Sequence, residues 1–117
     1  MEYKRRQEND FEIFEVSGQF IIGQIGDLFK EYTDLIKENK YKFIFDLTDV
    51  KFMDSSGLGT IIMGASHVMK HEEKIRICLD PSNETVKDLF KVVKVDYAVD
   101  YYKNIDDAIK GVNKIKL

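Results

Sequence analysis

The sequence is short of the residues that hold small or membrane-bound proteins together. It has one cysteine, Cys78, and one proline, Pro81. A single cysteine forms no internal bridge, so the chain is not a disulfide scaffold, and a reducing compartment, the cytoplasm, is the expected location. Two histidines leave few ligands for a metal, and no structural metal is needed, because 117 residues suffice for one adequate core. No window approaches the roughly 18 uncharged apolar residues of a membrane span, and acidic residues follow the basic start of MEYKRRQENDFEIFEV, where a signal peptide would need an apolar stretch. An excess of positive charge is also missing. Lys+Arg number 18 against 21 Asp+Glu, for a net charge of −3, so the basic footprint of nucleic-acid binding is absent. No GxxxxGK[ST] loop occurs, and Gly57-x-Gly59 lacks the third glycine of a dinucleotide fingerprint, Ile62 standing in its place.

What is present is the patterning of one α/β domain, residues 1–117, without linker, repeat or low-complexity segment. A short strand near Tyr3–Gln7, a turn at Asn9-Asp10 and a strand at Phe11–Val16 read as a hairpin, with Gly18 expected to end it. From Gln24 the residues Ile25, Leu28, Phe29, Tyr32, Leu35 and Ile36 form one helical stripe that stops at Asn39. Phe43–Leu47 is a near-continuous apolar run, predicted to be the central strand covered on both faces. A second helix carries Leu58, Ile61, Ile62, Ala65 and Met69. A strand follows at Ile75, Ile77 and Leu79, then a third helix capped by Asn83 with Val86, Leu89, Phe90 and Val93. Val99–Tyr102 is a further strand, and Asn104 opens a last helix through Ile105, Ala108, Ile109 and Val112, its Asp106-Asp107 pair reading as a solvated helix start. Strands alternating with helices predict a mostly parallel mixed sheet with the N-terminal hairpin as an antiparallel edge and about four helices. In such folds, ligands and partners meet the loops after the carboxyl ends of the strands, which points to Leu47–Gly59.

That segment contains Phe52-Met53-Asp54-Ser55-Ser56-Gly57-Leu58-Gly59: hydroxyls and a carboxylate where a helix begins. Free N–H groups and the positive dipole end favour an oxygen ligand there, and the plain reading is that Asp54, Ser55 or Ser56 caps the helix. His67 and His71, four apart, read as solvated side chains rather than ligands, and Cys78 as a small buried hydrophobe.

TDVKFMDSSGLGTIIMG, preceded by FIFDL, resembles the signature of the STAS domain, and specifically of bacterial anti-sigma factor antagonists. The resemblance runs along nearly the whole chain, through Ser17–Gln19, Pro81-Ser82 and the late DDAI segment. It implies a non-enzymatic, cytoplasmic partner-switching protein that needs no cofactor. In that family the unphosphorylated antagonist binds an anti-sigma factor that is also a serine kinase, so freeing a sigma factor. Phosphorylation releases it, and a serine phosphatase restores it. Carried over, the phosphoacceptor is Ser55, with Ser56 the less favoured acceptor and a helix-capping neighbour. The implied partner surface is Asp54, Ser55, Ser56 and Gly57 with the turn Gly18, Gln19 and Phe20. One departure stands out: antagonists often carry acids in a Gly-acid-apolar-Asp pattern, where this chain has Gln19 and Ile21. The competing reading is a STAS scaffold or regulatory subunit of a transporter or stress-signalling assembly, without sigma control.

Overall fold

The computed structural model describes every residue from Met1 to Leu117. β1 (Glu2–Glu8) and β2 (Phe11–Phe20) form the expected hairpin. Asn9 and Asp10 both adopt positive φ, 50° and 68°, the conformation a two-residue hairpin loop requires. α1 (Gly26–Lys37) then leads to β3 (Phe43–Met53), which pairs parallel with β2. α2 (Ser55–Ile62) and α3 (Ala65–Lys70) connect to β4 (Ile75–Cys78), α4 (Glu84–Val93) connects to β5 (Val99–Tyr102), and α5 (Ile105–Lys110) follows. The sheet order is β1-β2-β3-β4-β5, antiparallel only at the hairpin. The apolar run Phe43–Leu47 therefore lies in the central strand, as its composition demanded.

Alternation along the strands sorts the core into two faces. Phe14, Phe45 and Leu47 point toward α1–α4 in a cluster of 24 buried residues; Ile13, Ile44 and Cys78 point toward α5 in a cluster of six, so the α5 side is the thinner layer. On the thick side Phe14 and Phe45 stack at 5.1 Å, and Tyr32 meets Phe45 edge-on at 5.1 Å. Cys78 is fully buried, and burial pushes its thiol pKa up, which leaves it inert. No helix is long and apolar enough to cross a membrane.

Three sequence expectations change in detail. Gly18 does not end β2. With φ at +83° it belongs to a pair of register shifts, and the strand runs on to pair Gln19 with Phe52 and Phe20 with Met53. β3 likewise extends through the segment after Leu47, burying Val50 and Met53. The second helix breaks into α2 and α3. The buried Tyr32 hydroxyl donates to the Ile61 carbonyl at 2.8 Å, and a Cβ at Gly64 would stand 2.1 Å from that hydroxyl oxygen. A side chain bonded into the helix ladder bends it there. Met69, expected on the inner face, is accordingly 40% exposed beyond the break.

Candidate functional site

The site lies where β3 ends and α2 begins, beside the end of β2. Asp54 is extended (φ −106°, ψ −178°) and is the N-cap of α2. Its Oδ1 accepts the Gly57 N–H at 3.0 Å, and its Oδ2 accepts the Ile22 N–H, from the loop between β2 and α1, at 3.1 Å. These two donors, Ile22 first, hold the Asp54 carboxyl below its ordinary pKa, so the group is anionic.

Ser55 is the first residue of α2 and is exposed. Its hydroxyl makes no hydrogen bond with another side chain or with the backbone, and the capping position belongs to Asp54. Ser56 does not act as the cap expected from the sequence. It is half-buried two positions past the cap, too late for that geometry, and its carbonyl instead accepts the Thr60 hydroxyl at 2.9 Å. Gly57 is buried for a steric reason: a Cβ there would stand 2.3 Å from the Phe20 carbonyl oxygen and 3.2 Å from Met53 Cγ. Only glycine lets α2 approach the end of β2 so closely. The first turn of α2 holds no acidic residue, so its dipole end carries no charge beyond the Asp54 cap.

The Gly18–Phe20 turn divides. Gln19 is exposed and pairs with Phe52, one position before Met53, so it borders the site. Phe20 is fully buried; its ring belongs to the core, and its carbonyl, 3.4 Å from the Asp54 N–H, is what meets the site. Gly18 lies further back, opposite Val50 and against the backbone of Met1. Ile21 is half-buried at the start of the β2–α1 loop.

Sequence reasoning missed the apolar rim. Ile22 is 73% exposed, Phe52 48% and Phe29 43%. Ile22, Ile25 and Phe29 line a shallow groove of about 390 Å³ with Ser56 and Thr60. Phe29 fell within a helical stripe broad enough to pass wholly as core, and Ile22 belongs to no periodic element, so neither carried a signal of its own.

The histidines sit elsewhere. His67 Nε2 meets the Lys40 carbonyl at 2.9 Å and His71 stacks on Tyr41 at 4.1 Å, tying α3 to the segment before β3. No group of three or more His, Cys, Asp or Glu side chains is placed to hold a metal.

No curated protein matches the sequence. Among solved structures, the chain is similar to an anti-sigma factor antagonist from Mycobacterium paratuberculosis, with 18% identity, TM-score 0.78, and coverage of 95% of this chain and 92% of that one. It is similar to the Bacillus cell fate determinant SpoIIAA in its phosphorylated form, at 13% identity and TM-score 0.73 over 96% of this chain and 100% of that one. A sulfate transporter family protein from Wolinella succinogenes also shares the fold, at 21% identity and TM-score 0.58 over 87% of this chain and 84% of that one. These likenesses establish the fold, and the family model described as STAS domain matches residues 2–108, so the chain belongs to the STAS domain family.

Proposed function

We propose that this STAS domain is an anti-sigma factor antagonist, a cytoplasmic binding protein without catalysis of its own, switched by phosphorylation of Ser55. One observation carries the reading: Ser55 presents an exposed, uncommitted hydroxyl at the start of a helix whose cap is supplied by its neighbour Asp54. A structural cap would be hydrogen-bonded inward, whereas a hydroxyl meant for a second protein's active site must be free. Unphosphorylated, the chain binds an anti-sigma factor that is also a serine kinase, through Asp54, Ser55, Ser56, Gln19 and the apolar rim. The kinase then transfers the γ-phosphoryl group of ATP. The Ser55 Oγ–P bond forms, the bridging P–O bond to ADP breaks, and the hydroxyl proton passes to a base of the kinase. A dianionic group next to anionic Asp54, inside a packed interface, favours release. A serine phosphatase hydrolyses the ester and resets the switch. Gln19 and Ile21 stand where many antagonists carry acids, so the partner is expected to engage this edge differently.

The likeness to a transporter-family domain favours a second reading, a passive scaffold, which turns over no phosphate at one serine. The experiment is to capture the partner kinase on Ser55→Ala protein, then map phosphate by mass spectrometry after incubating each variant with it and ATP. Ser55→Ala is expected to fold normally, to lose all phosphorylation and to stay bound, while Ser56→Ala remains a substrate. Phosphate on Ser56 alone, or undiminished in Ser55→Ala, overturns the assignment; no phosphate on any variant favours the scaffold.

A further inference from the structure

Asp54 does more than cap α2. Its two oxygens reach two different elements, the helix end through Gly57 and the β2–α1 loop through Ile22, across 32 residues of sequence. The loop has few other ties: Gly23 follows at φ +88°, the Gln24 N–H closes one turn on the Ile21 carbonyl at 3.1 Å, and the Gln24 side-chain oxygen accepts from the Met1 amino group. The residue so anchored, Ile22, is 73% exposed and forms the rim of the groove next to Ser56. The choice of aspartate is meaningful, because the cap of α4 reverses it. Asn83 caps Val86 with its Oδ1, and its Nδ2 donates to the Val50 carbonyl at 2.8 Å. Where the second head of the cap meets a carbonyl the residue is Asn; where it meets an N–H it is Asp. Capping alone is served equally by both.

We propose that Asp54 is a positioning residue that couples the chemical state of Ser55 to the placement of Ile22. While Ser55 carries a free hydroxyl, Asp54 holds Ile22 on the rim of the groove. When Ser55 carries a phosphate, Asp54 releases it. This rests on the reading of Ser55 as the phosphoacceptor. A phosphoryl group on the next residue brings about −1.5 to −2 charges and three acceptor oxygens to the same helix end. It competes with the carboxylate for the N–H groups of the first turn and repels it. The Ile22 N–H then turns to water, and the apolar rim loosens as the charge arrives. The charge clash and the lost apolar contact act on the partner together.

The test is amide hydrogen exchange by NMR on the full chain without any partner. Asp54→Asn keeps an oxygen for Gly57 but turns an NH₂ group toward Ile22; Asp54→Ser keeps the cap and lacks the reach. Both are expected to speed exchange at Ile22 about tenfold, the loss of one hydrogen bond to a charged acceptor, and to leave the Gly57 amide protected. Protein with phosphoserine installed at position 55 by ligation is expected to shift Ile22 exchange toward the Asp54→Asn value. Unchanged exchange at Ile22 in both variants overturns the clamp. Unchanged exchange on phosphorylation overturns the coupling and leaves Ser55 as acceptor untouched. Both changes appearing in a protein that the captured kinase does not modify at Ser55 would uphold the clamp while removing the proposed function.

Discussion

The turns that open α2, α4 and α5 are built alike and are filled differently. Each follows a strand of the parallel part of the sheet, and each begins with an Asx cap accepting the N–H three residues on: Asp54 from Gly57, Asn83 from Val86, Asn104 from Asp107. α4 and α5 then neutralise their own dipoles, with Glu84 in one first turn and Asp106 and Asp107 in the other. α2 has Ser55, Ser56 and Gly57 in those positions, two hydroxyls and no charge. The third position separates them again: Val86 fills core space at 1% exposure, while Gly57 leaves room for the Phe20 carbonyl. Two of the turns carry acidic residues after the cap, and the third carries none. That contrast, more than the presence of serines, singles out the β3–α2 turn.

The comparison breaks most visibly at its third position. Gly57→Ala puts a Cβ against backbone, which has no flexible end to give way, and is expected to cost about 3 kcal/mol of stability, measured as a lowered urea midpoint at unchanged slope. A cost under about 0.5 kcal/mol would mean that α2 shifts freely and that the close approach is incidental.

Next in size is the cap of α4. Asn83→Asp keeps an acceptor for Val86 but sets a carboxylate oxygen against the Val50 carbonyl in place of a donor. The expected loss is about 2 kcal/mol, the cost of leaving a part-buried acceptor unpaired, read from the same denaturation curves. If the variant equals the wild type, the second head of these caps is not what selects Asp or Asn.

The smallest effect is in acid. The Ile22 and Gly57 N–H groups lower the Asp54 pKa, so its share of stability is complete above the unfolded value of about 3.9 and is lost as pH falls through the folded value. Asp80, held low by the N–H and hydroxyl of Ser82 in the turn before α4, behaves the same way, whereas Asn83 and Asn104 do not titrate. Asp54→Asn is therefore expected to flatten, without abolishing, the fall in stability below about pH 4, seen in urea midpoints taken from neutral to acid pH. An acid limb as steep as the wild type's would mean that Asp54 has the same pKa folded and unfolded.

Much of this architecture is legible in the sequence. The continuous run Phe43–Leu47 needed cover on both faces and is central; Asn83 and Asn104 stood just ahead of helical stripes and cap their helices; Asn9-Asp10 takes the positive φ values of its turn. These features depend on residues within a few positions of one another, which periodicity and turn chemistry read directly. The motif Asp54–Gly59 was legible too, through its resemblance to a family, and its place after a parallel strand follows from alternation alone.

What the chain order concealed depends on residues brought together from afar. Tyr32 breaks a helix 29 residues away by bonding the Ile61 carbonyl; Phe20 forbids a side chain at Gly57; Asp54 caps α2 with one oxygen and reaches Ile22 with the other. The side-chain pattern of a strand or helix states which face is apolar, and that much the sequence alone determined here. Which carbonyl, N–H or hydroxyl stands opposite a given polar group depends on how the packed elements meet, and only the tertiary structure decided that Asp54 would join a loop to a helix and leave Ser55 free.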